Sequence, residues 1–202
     1  YVSTVRGLMV GAALPAGAAS QFRLTPGSDA APPGGAYGVQ LGADATVWYG
    51  CGRQVCHLTG NTLNVLGDAE GVPEDRWTAI LADREGTVWI ASASRVRVLL
   101  NGASRFVARD TDLPNASPVR NISMDPRGRV LVTTDKGLAR FSEGRWQLFG
   151  ADQGLGSDGA SSMCTDREGS VWIGTRGGGL ARWLGYREWT TWTKAEGLPS
   201  DH

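Results

Sequence analysis

Hydrophobic and polar residues along this chain alternate in short runs, a period of two that marks half-buried β-strands rather than helices. The clearest series runs from Ala160 to Trp192 and predicts four strands: Ala160 to Thr165, Ser170 to Thr175, Gly179 to Leu184 and Glu188 to Trp192. These are strands a, b, c and d of one unit. Between a and b stands Asp-x-x-Gly, Asp166 to Gly169. There aspartate can cap a turn, and glycine takes the left-handed position that closes a hairpin.

The same order of turn, apolar strand and second strand recurs upstream in "GADATVWYGCGRQVCHL", "ADREGTVWIASASRVRVLL" and "MDPRGRVLVTTDKGLARFSEGRW". Taking the turn aspartate as marker gives Asp44, Asp83, Asp125 and Asp166, roughly forty residues apart, a period that signals a repeat architecture. Leu41, Ile80, Ile122 and Met163 precede the markers at one fixed distance, and Trp48, Trp89, Leu131 and Trp172 recur on strand b. Both series are expected to fill the core between units. The opening "YVSTVRGLMV" sets Tyr1 at the Trp172 position and Thr4 at the Thr175 position. An outer strand is expected near Gln21 to Leu24, followed by a long loop, within the Ala-, Pro- and Gly-rich stretch Ala12 to Pro33. The final "KAEGLPSDH" matches "GDAEGVPEDR" and "GADQGLGSDG", each lying just before a new first strand. The chain is therefore expected to begin inside a repeat, to stop between two, and to be a piece of a longer array.

A forty-residue unit of four strands is the blade of a β-propeller. The expected fold is all-β: four full blades and part of a fifth, forming an arc or fragment of a larger propeller. The divisions read from the repeats are 1–33 (strands b to d and a loop), 34–67, 68–109, 110–150 and 151–193 (one blade each), and 194–202 (the start of the next unit).

Composition narrows the functional classes. Equal numbers of basic and acidic residues leave a formal charge of zero, without the basic footprint of a general nucleic-acid binder. No apolar run reaches the length of a membrane span. "GLMVGAALPAGAAS" has the look of a secretory signal's end, yet Gly7 and Leu8 align with Gly179 and Leu180, which favours a structural role.

Candidate chemistry is sparse. Cys51 and Cys56 flank a hairpin with four residues between them. That spacing is compatible with a disulfide suited to an oxidising periplasm, and equally with two ordinary small strand residues. Cys164, beside Met163, is expected to be buried. The two histidines, His57 and His202, form no cluster, and no nucleophile elbow or spaced metal ligands occur. No cofactor and no metal site are expected. Asp83, Glu85, Asp166 and Glu168 fall in turns, where hairpin structure accounts for them. The pattern with spatial logic is one basic residue in each b-to-c loop: Arg6, Arg53, Arg95, Lys136 and Arg176. Such a ring would favour carboxylated or sulfated ligands. The d-to-a loops of the same face carry Asp68, Glu70, Glu74, Asp75, Asp110, Asp112, Asp152, Asp158, Glu196 and Asp201, so acid and base interleave.

The segments "GLPSD", "DREGSVWIGT", "GGLARW" and "DKGLARF" resemble the two-component-regulator propeller repeat. The third unit departs from it with Leu131 in place of tryptophan, and the first full unit with Cys51 and Gln54-Val55 in place of threonine and Gly-Leu. The resemblance implies a non-catalytic, periplasmic sensor module of a membrane receptor ending in a kinase or cyclase. Its expected partners are a small-molecule or oligosaccharide ligand, such as a glycan fragment, and neighbouring repeats of the parent, which would homodimerise as a receptor. Two other readings stay open. One is a propeller lyase resembling the streptogramin-inactivating enzymes, which would want a histidine and metal-binding carboxylates at the channel. The other is a scaffold for protein partners.

Overall fold

The computed structural model describes residues 1–12, 21–25, 31–113, 121–157, 159–184 and 189–200. The chain forms two compact units, residues 1–92 with 96–108, and residues 93–95 with 109–202. In the first unit, β1 (Val2–Thr4), β2 (Gly7–Gly11) and β3 (Phe22–Leu24) make a three-stranded sheet. A second sheet holds β4 (Ala36–Leu41), β5 (Val47–Cys51), β6 (Gln54–Thr59) and β7 (Thr62–Leu66), and a third holds β8 (Ala79–Ala82), β9 (Val88–Ala91), β10 (Val96–Leu99) and β11 (Val107–Ala108). The second unit contains β12 (Asn121–Met124), β13 (Val130–Thr134), β14 (Gly137–Ser142) and β15 (Arg145–Phe149), then β16 (Ala160–Thr165), β17 (Val171–Thr175), β18 (Leu180–Trp183) and β19 (Trp189–Trp192). Each sheet is an antiparallel meander, its strands adjacent in space in the order of the sequence. The architecture is all-β and the four-stranded sheets are propeller blades.

The a-to-b turns follow from their aspartates. Asp83, Asp125 and Asp166 each donate their N–H to the carbonyl four residues on, at 3.0, 2.9 and 2.9 Å. Their Oδ1 atoms accept from the N–H groups two and four residues ahead, at 2.8 to 3.0 Å. In the second sheet the equivalent turn bond runs from the Gly42 N–H to the Thr46 carbonyl, 2.8 Å. Gly42 therefore holds the marker position, and Asp44 stands two residues later, accepting from the Thr46 N–H and hydroxyl at 3.0 and 2.8 Å. An aspartate can cap such a turn from either place, which is why the sequence marker slips here. The slip also corrects Leu41. It pairs with Val47 as Ala82 pairs with Val88, and it is 55% exposed. Ile80, Ile122 and Met163 are buried as expected.

The strand b positions divide. Trp89 and Leu131 are buried, and half-buried Trp48 meets Phe106, the residue before β11, edge-on at 6.4 Å. Trp172 departs from the core expectation: it stacks on Trp192 of its own sheet at 5.5 Å and donates Nε1–H to Asp166 Oδ2 at 2.8 Å. That bond, with the backbone N–H groups of the turn, holds the Asp166 carboxyl below its usual range. Cys164 is exposed, contrary to expectation, because alternation along β16 turns Met163 inward and its neighbour outward.

The connections after β7, β15 and β19 share one device. A single 3₁₀ turn, Asp68–Glu70, Ala151–Gln153 or Lys194–Glu196, is closed by its third side chain. Glu70, Gln153 and Glu196 accept from the N–H groups of Gly67, Gly150 and Thr193 at 2.9, 2.8 and 2.8 Å, one arm of a capping box. In the first two copies the following Val72 and Leu155 are buried. The recurrent Glu/Gln-Gly-apolar segment of the sequence is this cap and its anchor.

Candidate functional site

The b-to-c turns are built by threonine. The hydroxyls of Thr4, Thr134 and Thr175 donate to the carbonyls of Gly7, Gly137 and Gly179 at 2.8, 3.0 and 2.9 Å. The backbone N–H groups of Arg6 and Lys136 close back on Thr4 and Thr134. In the second sheet Cys51 takes the threonine position, and it is joined to Cys56 by a disulfide with Cα atoms 5.7 Å apart. Both sulfurs lie in the core beside Leu8 and Tyr49. Chain-entropy arguments give so short a loop about 2 kcal/mol of stabilisation. Reduction should lower the urea midpoint accordingly; an unchanged midpoint would show that the loop entropy is already lost in the unfolded chain.

All five basic candidates sit in the turns named for them. Arg6 lies between β1 and β2, Arg53 between β5 and β6, Arg95 between β9 and β10, Lys136 between β13 and β14, and Arg176 between β17 and β18. Arg6 and Arg53 fall in the first unit and are linked there by the loop that leads into β4. The Gly52 N–H donates to the Gly35 carbonyl at 3.0 Å, and Gly35 lies so close to Thr4 and Val5 that a Cβ would stand 3.0 Å from both. Arg53 itself is paired with Glu74 at 3.3 Å, both exposed. In the second unit Lys136 and Arg176 are exposed, and the Arg176 turn is tied down through its backbone. Its N–H reaches the Gly159 carbonyl at 2.8 Å, and its own carbonyl accepts from Ser157 Oγ at 2.8 Å.

Three residues that sequence reasoning passed over complete the first unit's turn end. Ser92 Oγ donates to Asp75 Oδ2 at 2.8 Å. Arg76 lies over the Tyr37 ring, 4.4 Å from its centroid, and donates from Nη2 to the Tyr37 hydroxyl at 2.7 Å. That hydroxyl donates in turn to the Gly34 carbonyl at 2.6 Å. Of the acidic candidates, Glu74 and Asp75 belong here, whereas Asp68, Glu70, Asp152 and Glu196 sit in the 3₁₀ turns. Asp158, Asp201 and His202 lie outside the described residues.

His57, the histidine of the lyase reading, is on β6. Its ring stacks on Trp48 at 4.7 Å, and burial pushes its pKa down against the pull of the Asp44 charge. Among the described residues no group of three histidines, cysteines or carboxylates could hold a metal, and no helix is long and apolar enough to cross a membrane.

Meander blades repeated about every forty residues, joined by capped turns, define a β-propeller repeat protein. Two stretches, residues 71–94 and 154–177, match the family described as Two component regulator propeller. No curated protein matches the chain in sequence. Among solved structures, two of the extracellular domain of BT4673 from B. thetaiotaomicron, described as a hybrid two component and as a one component system, are similar. One has TM-score 0.61 at 18% identity over 75% of this chain and 21% of that one; the other has 0.67 at 16% over 84% and 24%. A catalytically inactive virginiamycin B lyase from Staphylococcus aureus with quinupristin is similar at TM-score 0.65 and 10% identity, over 90% of this chain and 61% of the lyase. At these identities the likeness is one of fold. The chain spans about a quarter or less of the BT4673 domain.

Proposed function

We propose that this chain is a non-catalytic, ligand-sensing propeller module from the extracytoplasmic, periplasmic part of a bacterial signal-transduction receptor, and that it recognises a glycan fragment or another small ligand. The observation that carries this reading is the pair of two-component-regulator propeller repeats at 71–94 and 154–177. The fold shared with the extracellular domain of a signalling system supports it. So does the Cys51–Cys56 disulfide, which suits an oxidising compartment. In this reading the parent receptor supplies neighbouring repeats, the membrane segment, the output domain and dimerisation.

The lyase reading shares the fold, but His57 is stacked on Trp48 within its blade rather than presented at a turn. The discriminating experiment is a thermal-shift screen of the chain against saccharides, small organic acids and proteins, alongside an assay for quinupristin cleavage. A small ligand at a hundred times its Kd should add about 2.7 kcal/mol of stability. Shifts produced by macromolecules alone would replace the sensor with a scaffold, and cleavage abolished by His57→Ala would replace it with an enzyme.

A further inference from the structure

We infer that the loop from Pro33 to Tyr37, with Arg76 and Arg6 beside it, is a carboxylate-binding site. The inference rests on the reading that this turn end meets a small ligand, and it names that ligand's chemistry. Tyr37 holds Arg76 in two ways, by its ring beneath the guanidinium and by its hydroxyl oxygen on Nη2. Because the hydroxyl hydrogen is committed to the Gly34 carbonyl, its oxygen is left to accept, and the guanidinium plane is set before any ligand arrives. A guanidinium has five N–H donors, and among the described residues one of them is used, on the Tyr37 hydroxyl. The unused edge is a planar fork of the geometry that matches a carboxylate in bidentate fashion.

The neighbouring acids are directed elsewhere. Glu74 is paired with Arg53 at 3.3 Å. Asp75 accepts from Ser92 Oγ at 2.8 Å and from the backbone N–H of Arg76 at 2.7 Å. No carboxylate among the described residues forms an ion pair with the Arg76 or Arg6 side chain. Arg6 is carried on the Thr4 to Gly7 turn, against which Gly35 packs. The site thus replaces Arg53 of the sequence-derived basic ring, whose charge is already met, with Arg76.

A sugar acid and a simple organic acid present the same group, so the test uses sodium D-galacturonate, sodium acetate and D-galactose, titrated separately into the intact chain and followed by NMR. We expect galacturonate to bind with Kd on the order of 1 mM and galactose, which lacks the carboxylate, to leave the spectrum unchanged. Equal affinity for acetate supports a site for the carboxylate alone, and weaker acetate binding supports a sugar-acid site. Arg76→Met should weaken galacturonate about tenfold or more, which is the loss of one charge-assisted fork. Arg76→Lys, which keeps the charge, should lose part of that, and Arg53→Met, which strips Glu74 of its partner without touching the fork, should weaken binding less than Arg76→Met. Galactose binding as well as galacturonate, with Arg76→Met neutral, would overturn the carboxylate site while leaving the sensor reading standing. Silence from all three ligands would overturn it as well, and the wider thermal-shift screen then decides the sensor reading on its own.

Discussion

Gly137→Ala is expected to destabilise the protein by about 3 kcal/mol or more, because it combines a strained backbone with a collision against backbone. Gly137 opens β14 with φ of +124°, where L residues are rarely found, and a Cβ built there stands 2.1 Å from the Phe149 carbonyl oxygen. That oxygen belongs to the neighbouring strand of the same sheet, so relief requires the pairing of Leu138 with Phe149 to move. The Thr134 hydroxyl bond to the Gly137 carbonyl would shift with it. Gly144 supplies the control, since its φ is +81° and nothing lies within 4 Å of its would-be Cβ. Gly144→Ala should cost only about 1 to 2 kcal/mol, the ordinary left-handed penalty. Urea unfolding of the two variants measures the difference, and equal midpoints would show that the collision is absorbed without cost.

The same position explains the worn copy of the repeat. In the second sheet Gln54 pairs with Cys51 as Gly137 pairs with Thr134, and Gln54 is not among the residues with positive φ. A hairpin without the glycine also lacks the threonine-to-glycine bond, and there the Cys51–Cys56 disulfide links the two strands instead. The loss of Thr and Gly-Leu from one unit is thus a coupled change of turn chemistry rather than a loss of the fold.

What could be read from the sequence was whatever has a local cause. Alternation gave β16 its limits, Ala160–Thr165, and the Asp-x-x-Gly turns were recognisable because cap and glycine lie within four residues. The second sheet shows where local reasoning slips, since an aspartate can cap such a turn from the Gly42 or the Asp44 position although only Gly42 holds the register. The candidate site was half legible. One basic residue per b-to-c turn follows from the repeat, but which of them keeps an unmet charge depends on partners far away in sequence. Glu74 reaches Arg53 across 21 residues and Arg76 reaches Tyr37 across 39. No periodic pattern encodes either contact. Trp172 shows the same limit: its repeat position implied core, and its bond to Asp166 gives it a share in the turn.

Trp183→Ala should be the costliest single truncation in the second unit, at about 3 to 5 kcal/mol. Trp183 is 1% exposed and lies in a cluster drawn from two sheets, with Leu131, Leu138 and Phe149 on one side and Met163, Val171, Ile173 and Ala181 on the other. Its ring stacks on Trp189 at 5.6 Å and meets Phe149 at 5.4 Å. Removing it leaves a void that neither sheet can close alone, because each backbone is fixed by its own ladder. A second consequence falls on Arg140, whose guanidinium lies over both Phe149 and Trp183 and donates to Gln147 Oε1 at 2.6 Å. Burial and the nearby Arg129 already depress its pKa, so loss of an aromatic face leaves a cation less compensated than before. Trp183→Phe keeps a ring for both contacts and should recover more than half of the loss. Hydrogen exchange reads the outcome directly: faster exchange in β13, β14, β17 and β18 of the alanine variant would place the cost at this junction. Unchanged protection there would mean that the two sheets hold together through Leu155 and the Leu131–Ile173 layer without the indole.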